Sequence, residues 1–531
     1  VVEPSVPTLP VGAGTADGGT AAVIPPSLPP RIVGELADLV AEPDLLVELL
    51  HGLGSPLNLV LPERLGHTAA SFRQVLAGHG LRHRLFLAHK ANRSAALIRQ
   101  AAVERLDLDV ASHGELCSGL ANGIPGSRME ATGPKNEAFL RLAVQHGLLL
   151  HVDNTDELAR LAALSHALTP DRPVEVVLRV AAGPSAGPAA GGEGHGSVPA
   201  ADTKFGIPAD QLPGVLRRMV GQTDGPGRNL RLRGLAFHLT TGGVRERLAA
   251  FETLVDLHLD ALRLGLRPTV LNIGGGFPIR HLADVADWAA YTSALKRGLL
   301  GQGPAITWNG ESFGLAVQAG RITGTGLLPD FAVPRDGPAE LAAFLASTMT
   351  RHGRRPVADF LVENDLELHL EPGRALLDQA GLTLARVNFV KRTPGGAWLV
   401  GLDANRSALD STDREFFPDP VLLPGAPTPT EVSQDPVGAY LGGNLCHPAD
   451  LLSRHVTRFE RRPRAGDSLA FLNTAGYVMD FTESATLLQR TATKVALARQ
   501  QGRWRWWRDE DYQPALPHDS AGTVTTSWGQ R

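Results

Sequence analysis

RLFLAHKANRSAALIRQAAVERLDLDVASHGEL, residues 84–116, sets the reading of the whole chain. RLFLAHK (84–90) is a short apolar run that predicts a buried strand. SAALIRQAAVER, with apolar residues at helical spacing, predicts a helix. LDLDVAS (106–112) predicts a second strand and HGELCSGLANG a second helix. The unit recurs outward. LLLHVDN (148–154) precedes TDELARLAALSHAL, and VEVVLRV (174–180), LRGLAFHL (232–239) and TVLNIGGG (269–276) continue the series. Strands that alternate with helices imply βα units and a parallel sheet. At least six such units predict an α/β fold built on a closed (β/α)8, TIM-like barrel.

After residue 380 the pattern changes. LTLARVNFVKR, AWLVGLD, DSLAFLN and TKVALARQQGRWRWW are short β-rich runs between Gly/Pro turns, and QQGR reads as a hairpin turn. A mostly antiparallel β domain is therefore expected over 381–512. The barrel is expected over 66–380, carrying a Gly/Pro-rich loop at 181–202. Residues 31–65 are read as an N-terminal segment packing with the β domain. The Pro/Gly/Ala-rich ends, 1–30 and 513–531, are read as disordered tails.

Composition excludes several classes. The formal charge is −4 over 531 residues, with no basic stripe interleaved with aromatics, so no nucleic-acid partner is expected. No apolar run reaches the roughly 20 residues that span a bilayer, so no membrane role is expected. Cys117 and Cys446, far apart, fit reduced thiols in a cytoplasmic protein. Cys117 falls on a predicted helix and is expected in the core. His113, Glu115 and Cys117 lack a second ligand cluster, so no metal site is expected.

Lys90, His238, Gly274 to Gly276 and Glu371 each close a strand-like run. In a β/α barrel those ends form the active-site face. A lysine amine there can form a Schiff base with an aldehyde cofactor. A carboxylate beside a pyridine nitrogen keeps it protonated, so that the ring accepts electrons from a substrate carbanion. Bare N–H groups of a glycine loop can hold a phosphate. Taken singly, His238 reads equally as a satisfied core histidine, Cys446 as a small buried apolar residue, Tyr477 as interface packing and Arg179 as a partner of acidic neighbours.

Nine segments, in order, resemble the alanine-racemase-fold pyridoxal-phosphate decarboxylases, the ornithine, diaminopimelate and arginine decarboxylase group. They are SPLNLVLPE, HKAN (89–92), DVASHGEL (109–116), TKFG (203–206), AFHLTTG (236–242), LNIGGGFP (271–278), EPGR (371–374), GGNLCHPADLL (442–452) and AGYVM (475–479). The resemblance implies pyridoxal 5'-phosphate as cofactor, held as an internal aldimine on Lys90. It implies His238 stacked on the ring and Glu371 at the pyridine nitrogen. Thr241, Gly274, Gly275, Gly276, Arg374 and Tyr477 would surround the phosphate, and Asp109, Glu115 and Arg179 would support cofactor and lysine. Cys446 would protonate Cα after CO2 leaves. A homodimer is implied, with the cysteine and tyrosine motifs facing the partner's barrel.

The chain departs from the family at the substrate end. Where diamine decarboxylases carry an acidic residue after the cysteine, it has His447, and LDANRSALDSTDREFF (402–417) lacks the family's arginine element, leaving Arg406 nearby. His447 and Arg406 are thus the expected substrate contacts, for an amino acid or amino-acid-like molecule. HLTTG replaces a glycine-serine pair, Asn272 replaces an aspartate, and 300–365 is longer than the family norm, placing Trp308, Glu311 and Phe313 as candidates for a lid, a modified pocket or surface decoration. Decarboxylation is the first expectation, because racemases of this fold place an arginine where Glu371 stands. Racemisation or epimerisation, and a non-catalytic cofactor-binding homologue, are the alternatives.

Overall fold

The computed structural model describes residues 23–169, 171–181, 203–220, 229–239, 243–324, 331, 333–410, 415–425 and 435–515. Thr241, most of the 181–202 loop, and the outer parts of both expected tails lie outside the described residues. Strand β1 (Leu57–Val60) precedes eight parallel barrel strands. These are β2 (His83–Ala88), β3 (Asp107–Val110), β4 (Met129–Ala131), β5 (Leu149–Val152), β6 (Val174–Ala181), β7 (Leu230–Ala236), β8 (Val270–Asn272) and β9 (Glu367–Leu370). Each pairs with the next, and β9 pairs back to β2, closing the barrel. β4 is the strand that the sequence reading missed. It has three residues and carries a glutamate at its centre, too short for an apolar pattern.

Local chemistry starts the helices where the strands end. Ser94, Ser112, Asn136 and Asn154 each precede a helix, and each side chain accepts a backbone N–H of the first turn. Such caps contribute about 1 kcal/mol each. Glu115 belongs to one of them: its Oε2 accepts the Ala111 N–H at 2.6 Å. Helix Pro62–Gly78, which comes before β2, packs between helices Ala95–Val103 and Gly337–Leu345 and completes the outer ring.

The β domain follows with β10 (Gly381–Arg392), β11 (Trp398–Leu402), β12 (Val421–Leu423), β13 (Val437–Gly442), β14 (Leu451–Phe459), β15 (Ser468–Leu472), β16 (Thr493–Gln500) and β17 (Arg503–Arg508). Its path is β14-β13-β11-β10-β1-β16-β17, with β15 pairing both β10 and β12. Only the β1–β16 and β11–β13 pairings among these are parallel. β1 therefore sits inside this sheet, where all four of its residues are buried. The QQGR turn joins β16 to β17, with Gln501 and Gly502 both at positive φ as a tight hairpin requires.

Three expectations are corrected. Residues 23–30 are packed rather than a tail: Leu28 is buried, its N–H and the Ser27 hydroxyl bind Asp419 Oδ2, and Pro30 bridges to Leu282. Cys117 is exposed, because its helix turns that face outward, towards His113 at 3.7 Å. Of the readings of the stretch before EPGR, its described residues overturn surface decoration. Trp308 packs edge-on against Tyr440 at 5.0 Å, Phe313 meets Phe417 at 5.3 Å and Glu311 pairs with Arg454 at 3.2 Å, so the stretch ties the barrel to the β domain. No helix among the described residues is long and apolar enough to cross a membrane.

Candidate active site

The C-terminal strand ends deliver the polar residues to one mouth. Lys90 follows β2 on a single helical turn, His89–Ala91. Asp109, in register beside Ala88, comes from β3. Its Oδ1 accepts the Thr132 hydroxyl at 2.5 Å, while its buried Oδ2 has no hydrogen-bond partner among the described residues. Burial, then the Glu371 charge, push the Asp109 carboxyl up to about 7. Burial pulls the Lys90 ammonium down, but Asp109 foremost, with Tyr477 and Glu371, outweighs it and raises Lys90 above its ordinary value.

Glu371, just past β9, is buried and tied from three sides. Asn272 Nδ2 donates to its Oε1 at 2.8 Å, His238 Nδ1 lies 3.4 Å from Oε2, and His151 Nδ1 lies 3.8 Å from Oε1. Burial opposes ionisation, yet the contact to His238, then His151 and Lys90, hold this carboxyl well below the usual carboxylate range. His238, 20% exposed, stands at the rim, and burial lowers its pKa. A small opening beside Glu371 is lined by Thr132, His151, Arg179, Phe237 and His238. Arg179 pairs with Asp153 at 3.6 Å and stacks its guanidinium on Phe205 of the TKFG segment at 4.5 Å.

The glycine loop lies beside them. Gly274 and Gly276 have φ of 64° and 72°. A Cβ on Gly275 would come within 2.6 Å of the Glu371 carbonyl oxygen and 3.1 Å of the His238 ring, so the backbone must be bare. The sequence reading missed what holds this loop. Arg247, fully buried on helix Val244–Arg263, donates to the Ile273 carbonyl at 3.1 Å and to those of Gly275 and Gly276 at 3.1 and 3.4 Å. It is buried because these carbonyls and the Phe277 ring, 4.3 Å from its guanidinium, line its socket. Burial lowers its pKa to about 10, which leaves it charged at neutral pH. Arg374 donates to the Gly476 carbonyl at 2.9 Å and lies 5.2 Å from the Tyr477 ring. Tyr477, at φ 70°, is fixed by its own N–H to the Ala91 carbonyl at 2.7 Å, which joins the β domain to the turn that carries Lys90.

Cys446 and His447 are elsewhere. They are exposed on the 443–450 loop and do not line the space around Glu371. Asp450 shapes that loop: its carboxylate accepts the N–H of Leu445 at 2.8 Å and of Arg406 at 2.7 Å, which brings the two expected substrate contacts to one region. The Arg406 guanidinium lies 3.5 Å from Asp410. A further cluster, Glu130, His151 and Glu371, gathers its polar atoms within 4.8 Å. The sequence had shown neither Glu130 nor His151.

The donor set suits a phosphorylated, cationic aromatic aldehyde. It provides an amine, a buried carboxylate held as an anion, a ring at the rim and bare backbone with cations behind it. Comparisons agree. Residues 64–305 match the family described as pyridoxal-dependent decarboxylase, pyridoxal binding domain. The chain is 32% identical over 464 residues to the uncharacterized protein y4yA of Sinorhizobium fredii, covering 86% of this chain and 91% of that one. It is 26% identical over 449 residues to the diaminopimelate decarboxylase of Bacillus subtilis, covering 83% and 86%. Among solved structures, diaminopimelate decarboxylase from Helicobacter pylori complexed with L-lysine aligns with a TM-score of 0.60 at 16% identity, over 86% of this chain and 95% of that one. The Paramecium bursaria Chlorella virus arginine decarboxylase bound to agmatine aligns with 0.58 at 15%, over 85% and 98%. The chain belongs to the pyridoxal-dependent decarboxylases, carboxy-lyases that work with pyridoxal 5'-phosphate on this barrel and β-domain fold.

Proposed function

We propose that the protein removes the α-carboxylate of an amino acid or amino-acid-like substrate, with the cofactor attached to Lys90. The observation that carries this is the placement of Lys90, Asp109 and Glu371 at the C-terminal ends of three barrel strands, at one mouth. When bound, pyridoxal phosphate supplies an electron sink for the pair released with CO2. Glu371 would face the ring nitrogen and hold its proton there. His238 would lie against the ring face. Asp109 and Arg179 would orient Lys90 and the ring from neighbouring strands. Gly274, Gly275, Gly276, Arg374 and Tyr477 would hold the phosphate, on a loop that Arg247 fixes from behind. Glu371 favours decarboxylation over racemisation, since an anion at the ring nitrogen supports full charge transfer into the ring.

The site is completed by a second copy. Cys446 is exposed and outside its own chain's cleft, and Phe481, Leu487 and Leu488, just after the Tyr477 segment, are exposed apolar residues. In a homodimer the partner's 443–450 loop brings Cys446 to protonate Cα, with His447 and Arg406 meeting the substrate's far end. An imidazole there disfavours a distal ammonium, so substrates without one are expected. The test is CO2 release from a broad panel of amino acids by cofactor-loaded protein. Release from any member supports the reading. Solvent-deuterium exchange at Cα without CO2 would replace it with racemisation.

A further inference from the structure

Glu130 has no place in the assignments above and His151 entered only as a contact of Glu371, and both are buried in the barrel. Glu130 leaves the centre of β4, in register beside Asp109, and His151 leaves β5. Glu130 Oε2 lies 3.1 Å from His151 Nε2, and His151 Nδ1 lies 3.8 Å from Glu371 Oε1. Asn272 reaches both carboxyls, at 2.8 Å to Glu371 and 3.5 Å to Glu130. The other oxygen of Glu130 is buried with no hydrogen-bond partner among the described residues.

Two carboxyls so close in a dry site do not both ionise. Glu371 keeps the charge. Burial, then Glu371 and Asp109, hold Glu130 well above the carboxylate range, and burial takes His151 down to about 3. A protonated acid beside a neutral imidazole can pair in either direction, and the Glu371 anion 3.8 Å from Nδ1 selects between them. With the ring proton on Nδ1, facing that anion, the Glu130 O–H donates to Nε2.

We propose that Glu130 and His151 are positioning residues that keep Glu371 ionised, and so keep the proton on the cofactor's ring nitrogen instead of on the carboxyl. This rests on the pairing of Glu371 with the ring nitrogen proposed above. The N–H of His151 points a positive dipole at the anion, in a medium where such dipoles count for more than in water. Lys135, His369 and Arg179 also face His151, and Arg84, Asp109 and His369 face Glu130. None of these changes in the variants below, so a difference reports the pair.

The probe is pyridoxal phosphate labelled with 15N in its ring, read by NMR in the loaded protein across the neutral pH range. In the wild type the ring signal should stay in the protonated position. In His151→Phe it should move to the unprotonated position, or titrate within the range. Glu130→Leu should move it the same way. Glu130→Gln should stay near wild type, because its amide N–H still donates to Nε2. An unchanged signal in His151→Phe, while Glu371→Ala shifts it, overturns the proposal and leaves the Glu371 pairing intact. An unchanged signal in Glu371→Ala overturns the pairing itself, and this proposal with it. A measurement without variants guards against misfolding. The imidazole of His151 in the cofactor-free wild type should be neutral and protonated on Nδ1. An imidazolium, an Nε2–H tautomer, or a stoichiometric metal lost in Glu130→Gln would overturn the proposal.

Discussion

The barrel mouth and the 443–450 loop carry the two halves of the proposed chemistry, and they are built differently. At the mouth, Lys90, Asp109, Asn272 and Glu371 come from four strands; Asp109, Asn272 and Glu371 are buried, Asn272 donates to Glu371 and Thr132 donates to Asp109. On the loop, Cys446 and His447 are exposed, and one carboxylate, Asp450, holds the backbone. The mouth resembles the family motifs apart from Asn272 and the HLTTG segment, and the loop departs at its substrate-facing positions. Cofactor chemistry demands fixed charges in a dry site, which leaves little freedom in residue type. A loop that recognises the far end of a substrate can change its side chains without disturbing the strands beneath it.

The contrast can be broken by substitution. Lys90→Ala should abolish the visible absorbance of the loaded protein and take CO2 release to background, the largest effect expected. Cys446→Ala should retain the absorbance and lower turnover by roughly 10²–10⁴-fold, the range for loss of a general acid. Mixing Cys446→Ala with Lys90→Ala protein should restore part of the activity, since mixed dimers hold one site built from intact parts. A failure to restore it would remove the shared-site account.

Smaller effects sharpen the same comparison. Gly275→Ala pushes a Cβ to within 2.6 Å of the Glu371 carbonyl and should cost about 1–3 kcal/mol, seen as a lower melting temperature and weaker cofactor binding. Asp450→Ala should leave the cofactor's absorbance unchanged and raise KM more than it lowers kcat, because it frees only the loop.

Asp109 gives a pH signature. Its carboxyl sits near 7 when folded, above its unfolded value, so the folded cofactor-free protein binds the extra proton between those two values. The stability it contributes is present at the acid end and lost as pH rises towards 7. Asp109→Asn should flatten that slope in denaturant titrations of the cofactor-free protein. An unchanged slope would contradict the raised pKa of this buried carboxyl.

Much of this was legible in the sequence, and for physical reasons. Strand runs such as RLFLAHK and TVLNIGGG show their function because polar residues at their ends interrupt an otherwise buried pattern. Other features leave no such trace. Arg247 sits on an amphipathic helix where an arginine reads as surface, and only the fold turns three loop carbonyls towards it. Glu130 stands in a three-residue strand, and His151 inside LLLHV reads as an ordinary core position. Their pairing is a contact across β4 and β5 that no local pattern encodes. The packing of residues 23–30 depends on Asp419, some 390 residues away. The extension before EPGR reads as a lid, a modified pocket or decoration until its aromatic residues are seen against Tyr440 and Phe417.

The account depends on which amine holds the cofactor. Borohydride reduction of the loaded protein, followed by peptide mapping, fixes the pyridoxyl group to the residue that carried it. The account predicts one modified peptide, containing HKAN with the label on Lys90. Label on Lys135, Lys204 or another lysine, or no label after reduction, would contradict it.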